Sequence, residues 1–191
     1  MRLDSYTTGD YTPGAPFWQQ LLWYFIGQPI LSSYWLPMSY LKVGILRLFG
    51  AQIGEKVRIK PGVRVKFPWR LRVGDYVWIG EDTWIDNLAV VELESHVCIS
   101  QGVYFCTGNH DWSHPDFQLK TASIHIEEGS WIAAKAVVGP GLRAGKGSIL
   151  CMGSVAMHNL AEMTIYAGNP AQPIKSRVIN SHKSNSDIST A

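Results

Sequence analysis

The chain is 191 residues long, 46% hydrophobic and 17% charged, enough to enclose the core of one domain and too apolar for general disorder. Its 17 basic and 15 acidic residues leave a net charge of +2, which argues against a non-specific nucleic-acid binder, and no Lys/Arg stripe stands out along the chain. Cys98, Cys106 and Cys151 are odd in number and form no C-x-x-C, which disfavours a disulfide framework and a thiolate zinc site and fits a reducing, cytoplasmic compartment.

The first residues, MRLDSYTTGDYTPG, are polar, with no apolar stretch before a cleavage site, and do not read as a signal peptide. Residues 11–41 contain no charged side chain and are rich in Trp, Tyr, Leu and Phe. Gly27, Pro29 and Pro37 interrupt this run, which speaks against an unbroken transmembrane helix. A short helix is expected from Phe17 to Ile26. A second is expected from Ser39 to Phe49, stopped by Gly50 and carrying Lys42 and Arg47 outward. Two roles are open for this segment. It can cap an unpaired sheet edge, or residues 15–41 can touch a membrane peripherally through Trp18, Trp23, Tyr24 and Trp35, placing the protein at the inner face of the membrane.

From residue 53 an aliphatic recurs every six positions: Ile53, Ile59 and Val65, then, after a two-residue slip at Phe67–Arg70, Val73, Ile79, Ile85, Val91, Val97 and Val103. The series breaks over residues 109–125 and resumes with Ile126, Ile132, Val138, Ala144, Leu150 and Ala156. The next position is often Gly, Asp, Glu or Ala, and the fourth position after each aliphatic is small or branched. A period of six fits neither a helix nor a hairpin meander. It suits short strands with inward aliphatics, where Gly or Asp after the aliphatic lets the chain turn. Three such units make a triangular coil, and coils stack edge to edge about 4.8 Å apart. The division expected is an N-terminal arm and helical cap over 1–50, a solenoid over 51–178 with a protruding loop at 109–125, and a polar, disordered tail over 179–191.

This [LIV]-[GAED]-x-x-[STAV]-x pattern resembles the hexapeptide-repeat acyltransferases. The likeness sharpens in Ile45–Ala51, Pro68-Trp69-Arg70-Leu71, Gly74–Gly80, Ile99-Ser100-Gln101 and Cys106–Asp111, and covers about residues 15–178. Together these segments look like the colanic acid biosynthesis acetyltransferase branch, related to the maltose, galactoside and nodulation O-acetyltransferases. The resemblance implies an all-β, left-handed parallel β-helix. It also implies acetyl transfer from acetyl-CoA to a sugar hydroxyl in exopolysaccharide or related glycan biosynthesis, with no metal. The flat faces of a triangular prism favour a homotrimer, and the resemblance implies one.

The break at 109–125 is where a rigid scaffold would carry chemistry. His110 opens it, and an imidazole can take a hydroxyl proton near neutral pH; the resemblance makes His110 the general base. Asp111 can orient an imidazole or be a solvated loop acid, while His114 and His125 are expected to be bystanders. The resemblance places the acceptor sugar at Trp84, Asp86 and Asn87, an aromatic face with hydroxyl-fixing groups; packing for Trp84 and a turn role for Asp86 stay open. On the donor side it implies Trp131, the Ala134 backbone N–H as oxyanion donor, Met152, Gly153, His158 and Lys175, with Arg177 as a further phosphate contact. Met157-His158 departs from the Thr/Ser-Lys usual in relatives. A Cys106 acyl-enzyme is a minor alternative. Two other functions compete: a γ-type carbonic anhydrase-like zinc enzyme using His96, His110 and His114, whose spacing does not match that family, and a non-catalytic β-helix scaffold.

Overall fold

Strands of two or three residues, joined by tight corners, wind the chain into a parallel solenoid with three faces. The structure is a computed structural model that describes residues 3–180, so the expected tail lies, from residue 181 on, outside the described residues. One face has five strands, Gln52–Ile53 to Arg143–Ala144. The second has seven, beginning at Arg58–Ile59 and closing with Thr164–Gly168, on which Ala171–Ser176 folds back antiparallel. The third has five, Arg64–Val65 to Val155–Ala156. The parallel β-helix inferred from the six-residue period is the fold.

The phase of the repeat departs from the sequence reading after Ile85. A second two-residue insertion makes Val73 pair with Leu93, Ile79 with Ile99 and Ile85 with Phe105, a coil of 20 residues. The later step from Ile126 to Ala144 is 18. Leu93, Ile99 and Phe105 are therefore the inward strand residues, and Val97 and Val103 occupy the fourth position after one. All five are buried, because both positions face the core.

The corners also work differently from the expectation. The left-handed residue is the third after the aliphatic, as at Tyr76 (φ 58°) and Gly62 (φ 75°), not the first. Glycine directly after the aliphatic answers another constraint, the approach of the next coil. A Cβ on Gly74 would lie 2.6 Å from the Ser95 nitrogen, and one on Gly80 2.5 Å from that of Gln101.

The first coil has no coil beneath it, and the N-terminal helices take that place. Helix α1 (Phe17–Leu22) runs through a π turn (Trp23–Gly27) into α2 (Gln28–Ser32), so the helical run passes the expected stop at Ile26. In α-helical geometry the Pro29 ring would clash with the carbonyl four residues back. The wide turn, in which the Gln28 N–H reaches back to the Trp23 carbonyl, absorbs it. Helix α3 (Ser39–Leu48) ends at Gly50, φ 96°, with the Ala51 N–H bonded to the Leu46 carbonyl at 3.0 Å.

Side chains of this cap answer the unpaired strand edge group by group. Gln28 Oε1 accepts from the Val65 N–H at 3.0 Å, and Trp23 Nε1 donates to the Val65 carbonyl at 2.9 Å. Ser39 Oγ accepts from the Ile59 N–H and donates to its carbonyl. Arg47 donates to the carbonyls of Ile53 and Gly54, both at 2.7 Å. Trp23, Leu31, Val43 and Leu46 close the core beneath them.

Lys42 corrects the sequence reading. It points inward, fully buried, with Nζ 3.2 Å from the Lys60 carbonyl and 3.3 Å from that of Ser33. Its aliphatic stem fills the seam between cap and coil while the ammonium serves edge carbonyls that no strand can reach. Burial lowers its pKa from 10.5. The unfolded chain therefore holds the extra proton between the folded and unfolded values, and stability rises as pH climbs through that window. In Lys42→Met this rise should disappear. Denaturant melts of both proteins at several pH values up to 10.5 would show it, and parallel pH profiles would refute the coupling.

Candidate active site

The break in the repeat is a hairpin. Gly108–His110 pairs antiparallel with Leu119–Thr121, Asn109 opposite Lys120. The N-terminal arm is strapped along it. The Leu119 N–H donates to the Thr7 carbonyl at 3.4 Å. Gly9 lies against Gln118 so closely that a Cβ would come within 2.3 Å of its Nε2. Trp69 Nε1 holds the Pro13 carbonyl at 2.7 Å, and the Arg70 guanidinium holds the Thr12 carbonyl and the Tyr11 hydroxyl.

This strapped hairpin carries His110, partly buried. Its Nδ1 lies 3.0 Å from the Phe117 carbonyl oxygen. A carbonyl can only accept, so Nδ1 carries the proton and neutral imidazole presents its lone pair at Nε2. The Phe117 ring stacks on the imidazole at 4.3 Å and 4°, and Tyr6 adds a second ring at 5.8 Å. Phe117 holds a left-handed φ of 50°, uncommon for an aromatic residue; that conformation accompanies a carbonyl and a ring directed at one imidazole.

Asp111 does not orient an imidazole. Its carboxylate is engaged by Lys120 Nζ at 2.7 Å and by the Ser113 hydroxyl at 2.5 Å. Lys120 first, then Ser113, lower its pKa to about 2. It is a loop brace. His114 pairs with Asp116 and His125 with Glu94. Cys106 donates to the Gly108 carbonyl at 3.2 Å.

On the third face Arg64, Trp84 and Tyr104 form one row in register. The Arg64 guanidinium lies 4.5 Å from the Trp84 ring centre, and the Tyr104 ring lies 4.8 Å from it. Trp84 keeps an exposed edge. Asp86 sits beside it, paired with Lys66 at 3.0 Å and accepting from the Tyr104 hydroxyl at 3.2 Å. Burial first, then Cys106 and Asp86, push the Tyr104 pKa up, so this hydroxyl stays a donor. Asn87 departs from the expectation. It is fully buried, its Oδ1 accepting from the Phe67 N–H at 2.9 Å and its Nδ2 donating to the Phe67 carbonyl at 2.7 Å. It pins an insertion between coils and cannot reach a sugar.

The donor-side residues lie on the second face and its corners, except His158, which follows the third-face strand Val155–Ala156. Trp131 is exposed and donates from Nε1 to Ser100 at 2.9 Å. Ala134 is the second residue after Ile132. On corners after the first face the N–H at this place is taken by a side chain of an adjacent coil, Glu55 by Asp75, Asp75 by Ser95, Glu128 by Glu94, Lys146 by Glu127, whereas on corners after the second face, at Glu81, Gln101 and Met152, it has no acceptor among the described residues. The Ala134 N–H has no acceptor among the described residues, while its carbonyl accepts from the Gly153 N–H at 2.9 Å. Met152 is exposed, and a Cβ on Gly153 would meet nothing within 4 Å, so this corner is open. Lys175 and His158 are exposed. Arg177 is not a free phosphate contact: its guanidinium donates to the carbonyls of Gly129 and Gly147, both at 2.9 Å.

The three histidines of the zinc alternative are separately engaged, His96 stacked on Tyr76 at 5.1 Å, His110 stacked on Phe117, and His114 paired through Nδ1 with the Asp116 carboxylate. No three His, Cys, Asp or Glu among the described residues are grouped to hold a metal. Sequence reasoning missed Tyr6, Phe117 and Tyr104. Only Tyr104 had a signal, since it follows Trp84 by the 20 residues of one coil. Tyr6 and Phe117 reach His110 through irregular backbone that no period encodes.

No family model matches the chain. It is 36% identical over 159 residues to the colanic acid biosynthesis acetyltransferase WcaF of Escherichia coli K12, covering 82% of this chain and 86% of that protein. It is 28% identical over 136 residues to the galactoside O-acetyltransferase of Lactococcus lactis, covering 66% and 63%. Among solved structures, the hexapeptide-repeat acetyltransferase VCA0836 of Vibrio cholerae, complexed with acetyl coenzyme A, superposes with a TM-score of 0.77 at 21% identity, over 94% of this chain and all of that one. A galactoside acetyltransferase in complex with coenzyme A gives 0.72 at 18% identity, over 83% and 80%.

Asn87→Ala should cost about 1–3 kcal/mol, because it orphans both backbone groups of Phe67 inside the solenoid. Thermal melts should show the loss while the KM for acceptor stays unchanged below the transition. A raised KM with an unaltered melt would return Asn87 to the acceptor site.

Proposed function

The chain belongs to the hexapeptide-repeat acetyltransferase family that includes the colanic acid biosynthesis enzyme WcaF, and from that premise we propose that it transfers acetyl from acetyl-CoA to a sugar hydroxyl of an exopolysaccharide or related glycan, with His110 as general base. The observation that carries this reading is the imidazole fixed with Nδ1–H on the Phe117 carbonyl. An alcohol is a poor nucleophile until it sheds its proton, and Nε2 is the group on the loop that can take it.

In this reading the hydroxyl proton passes to His110 Nε2 as its oxygen bonds to the thioester carbonyl carbon. The carbonyl oxygen becomes a tetrahedral oxyanion that the Ala134 N–H, which has no acceptor among the described residues, would stabilise. The intermediate collapses with cleavage of the C–S bond, and the proton on Nε2 goes to the departing thiolate. The products are the acetyl ester and CoA thiol. The exposed Trp131, the open corner at Met152 and Gly153, and the exposed Lys175 and His158 would hold the donor. The free edge of Trp84, with Asp86 and Tyr104, would hold the sugar by stacking and hydroxyl contacts. We place the reaction in the cytoplasm, with the protein as a homotrimer in which the hairpin of one subunit faces the donor corner of the next.

Removing a general base typically lowers rate about 10²–10⁴-fold, so His110→Ala should lower kcat by that order with fold and acetyl-CoA affinity retained. His114→Ala and Cys106→Ala should change kcat little. Thiol release from acetyl-CoA, measured against a panel of sugars, nucleotide sugars and lipid-linked glycans, reads the rates. Near wild-type turnover in His110→Ala would overturn the assignment, and no turnover by the wild type on any acceptor would favour the scaffold alternative. Light scattering should give three times the 21.3 kDa chain mass; a fully active monomer would sink the shared-site arrangement.

A further inference from the structure

The helical cap has two faces, and acetyl transfer uses neither. The inner one closes the first coil. The outer one is apolar and open: Phe17 is 72% exposed, Trp18 62%, Tyr24 69%, Phe25 68% and Trp35 96%, with Leu21, Leu22, Ile26 and Ile30 among them. Such a contiguous patch is far more apolar than scattered surface residues. No helix among the described residues is long and apolar enough to cross a membrane.

Charge points to what covers this face. The near-zero net charge conceals a segregation. From residue 43 to 72 the chain has eight basic residues, Arg47, Lys56, Arg58, Lys60, Arg64, Lys66, Arg70 and Arg72, against the single acid Glu55, whereas residues 73–180 have six basic and eleven acidic ones. Five of these cations line two grooves at the cap. Arg64 and Lys66 line a groove of about 440 Å³ with Phe17, Leu21 and Tyr24. Arg47, Lys56 and Arg58 line another of about 850 Å³ with Tyr40 and Trp78. Two copies of this chain meeting through the face would bring two basic collars together, and like charges in apposition oppose that contact. A surface apolar beneath and negative at its rim satisfies both features.

We propose that the outer face of the helical cap docks on an anionic lipid bilayer. The helices lie in the interface, with Trp18, Tyr24, Phe25 and Trp35 among the acyl chains and the basic collar at the headgroups. The groove at Phe17 and Tyr24 also reaches Trp84, so docking sets the acceptor side of the β-helix beside the bilayer. This docking does not depend on the acetyl-transfer reading.

The test is co-sedimentation of the full chain with vesicles of phosphatidylcholine alone and of phosphatidylcholine with phosphatidylglycerol, at low and high salt. Binding should require the anionic lipid and weaken with salt. Trp18→Ser/Phe25→Ser/Trp35→Ser should weaken it about tenfold or more, and Lys56→Glu/Lys60→Glu should do the same. Melting curves establish that each variant is folded; if the aromatic triple variant is not, the lysine variant, which removes only exposed side chains, decides. Absence of vesicle binding by the wild type overturns the proposal, as does binding indifferent to the lysine variant. A drop in oligomer mass in the aromatic variant, with unchanged vesicle binding, assigns the face to subunit contact and equally overturns it.

Discussion

Backbone pairing between stacked coils governs this molecule. Each coil presents a ring of N–H and C=O groups that only another coil can satisfy, and an end left open is an exposed strand edge. The C-terminal end is closed by regular structure, Ala171–Ser176 turning back on Thr164–Gly168. The N-terminal end is closed by side chains: an amide, an indole, a hydroxyl, an ammonium and a guanidinium, each matched to a particular strand carbonyl or N–H. This explains a lysine in a core seam. An ammonium with rotatable donors can serve carbonyls that a helix backbone cannot reach, and the local carbonyl field offsets part of its desolvation.

The same stacking makes the site possible. Corners repeat at fixed spacing, so a vacant hydrogen-bond position on one is a defined point in space. Corners after the second face leave this amide without an acceptor among the described residues, at Glu81, Gln101, Ala134 and Met152 alike, so the repeat sets out a row of fixed donors. A donor held by a rigid corner needs no reorganisation when charge develops before it. The base has the opposite origin, in the one segment that leaves the repeat. Its rigidity is borrowed from the arm strapped along it and from the Lys120–Asp111 brace.

Regular features were readable in the sequence to the degree that a period encoded them. The inward aliphatics, the break at 109–125 and the helix stop at Gly50 follow from spacing and residue type. The phase error after Ile85 arose because Val91, Val97 and Val103 satisfy an aliphatic period as well as Leu93, Ile99 and Phe105 do; a core that accepts both positions erases the distinction. Corner glycines misled because one residue type answers two constraints, positive φ at Gly62 and close approach at Gly74. Lys42 and Asn87 misled because polarity predicts exposure until a backbone group demands a partner in the interior. Tyr6 and Phe117 were invisible because their contact with His110 depends on irregular backbone.

The orienting group chosen for His110 has a chemical consequence. A carboxylate on Nδ1 would stabilise the imidazolium formed as the hydroxyl is deprotonated, and would also favour a protonated resting imidazole, which is no base at all. A neutral carbonyl fixes the same tautomer without adding charge. The nearest carboxylate in sequence, Asp111, is neutralised by Lys120 and Ser113, so its field on the ring is diminished. The Phe117 carbonyl fixes the tautomer and leaves Nε2 free both to take a proton from an alcohol and to give it up. That suits a reaction in which the same proton must be released to a thiolate moments later.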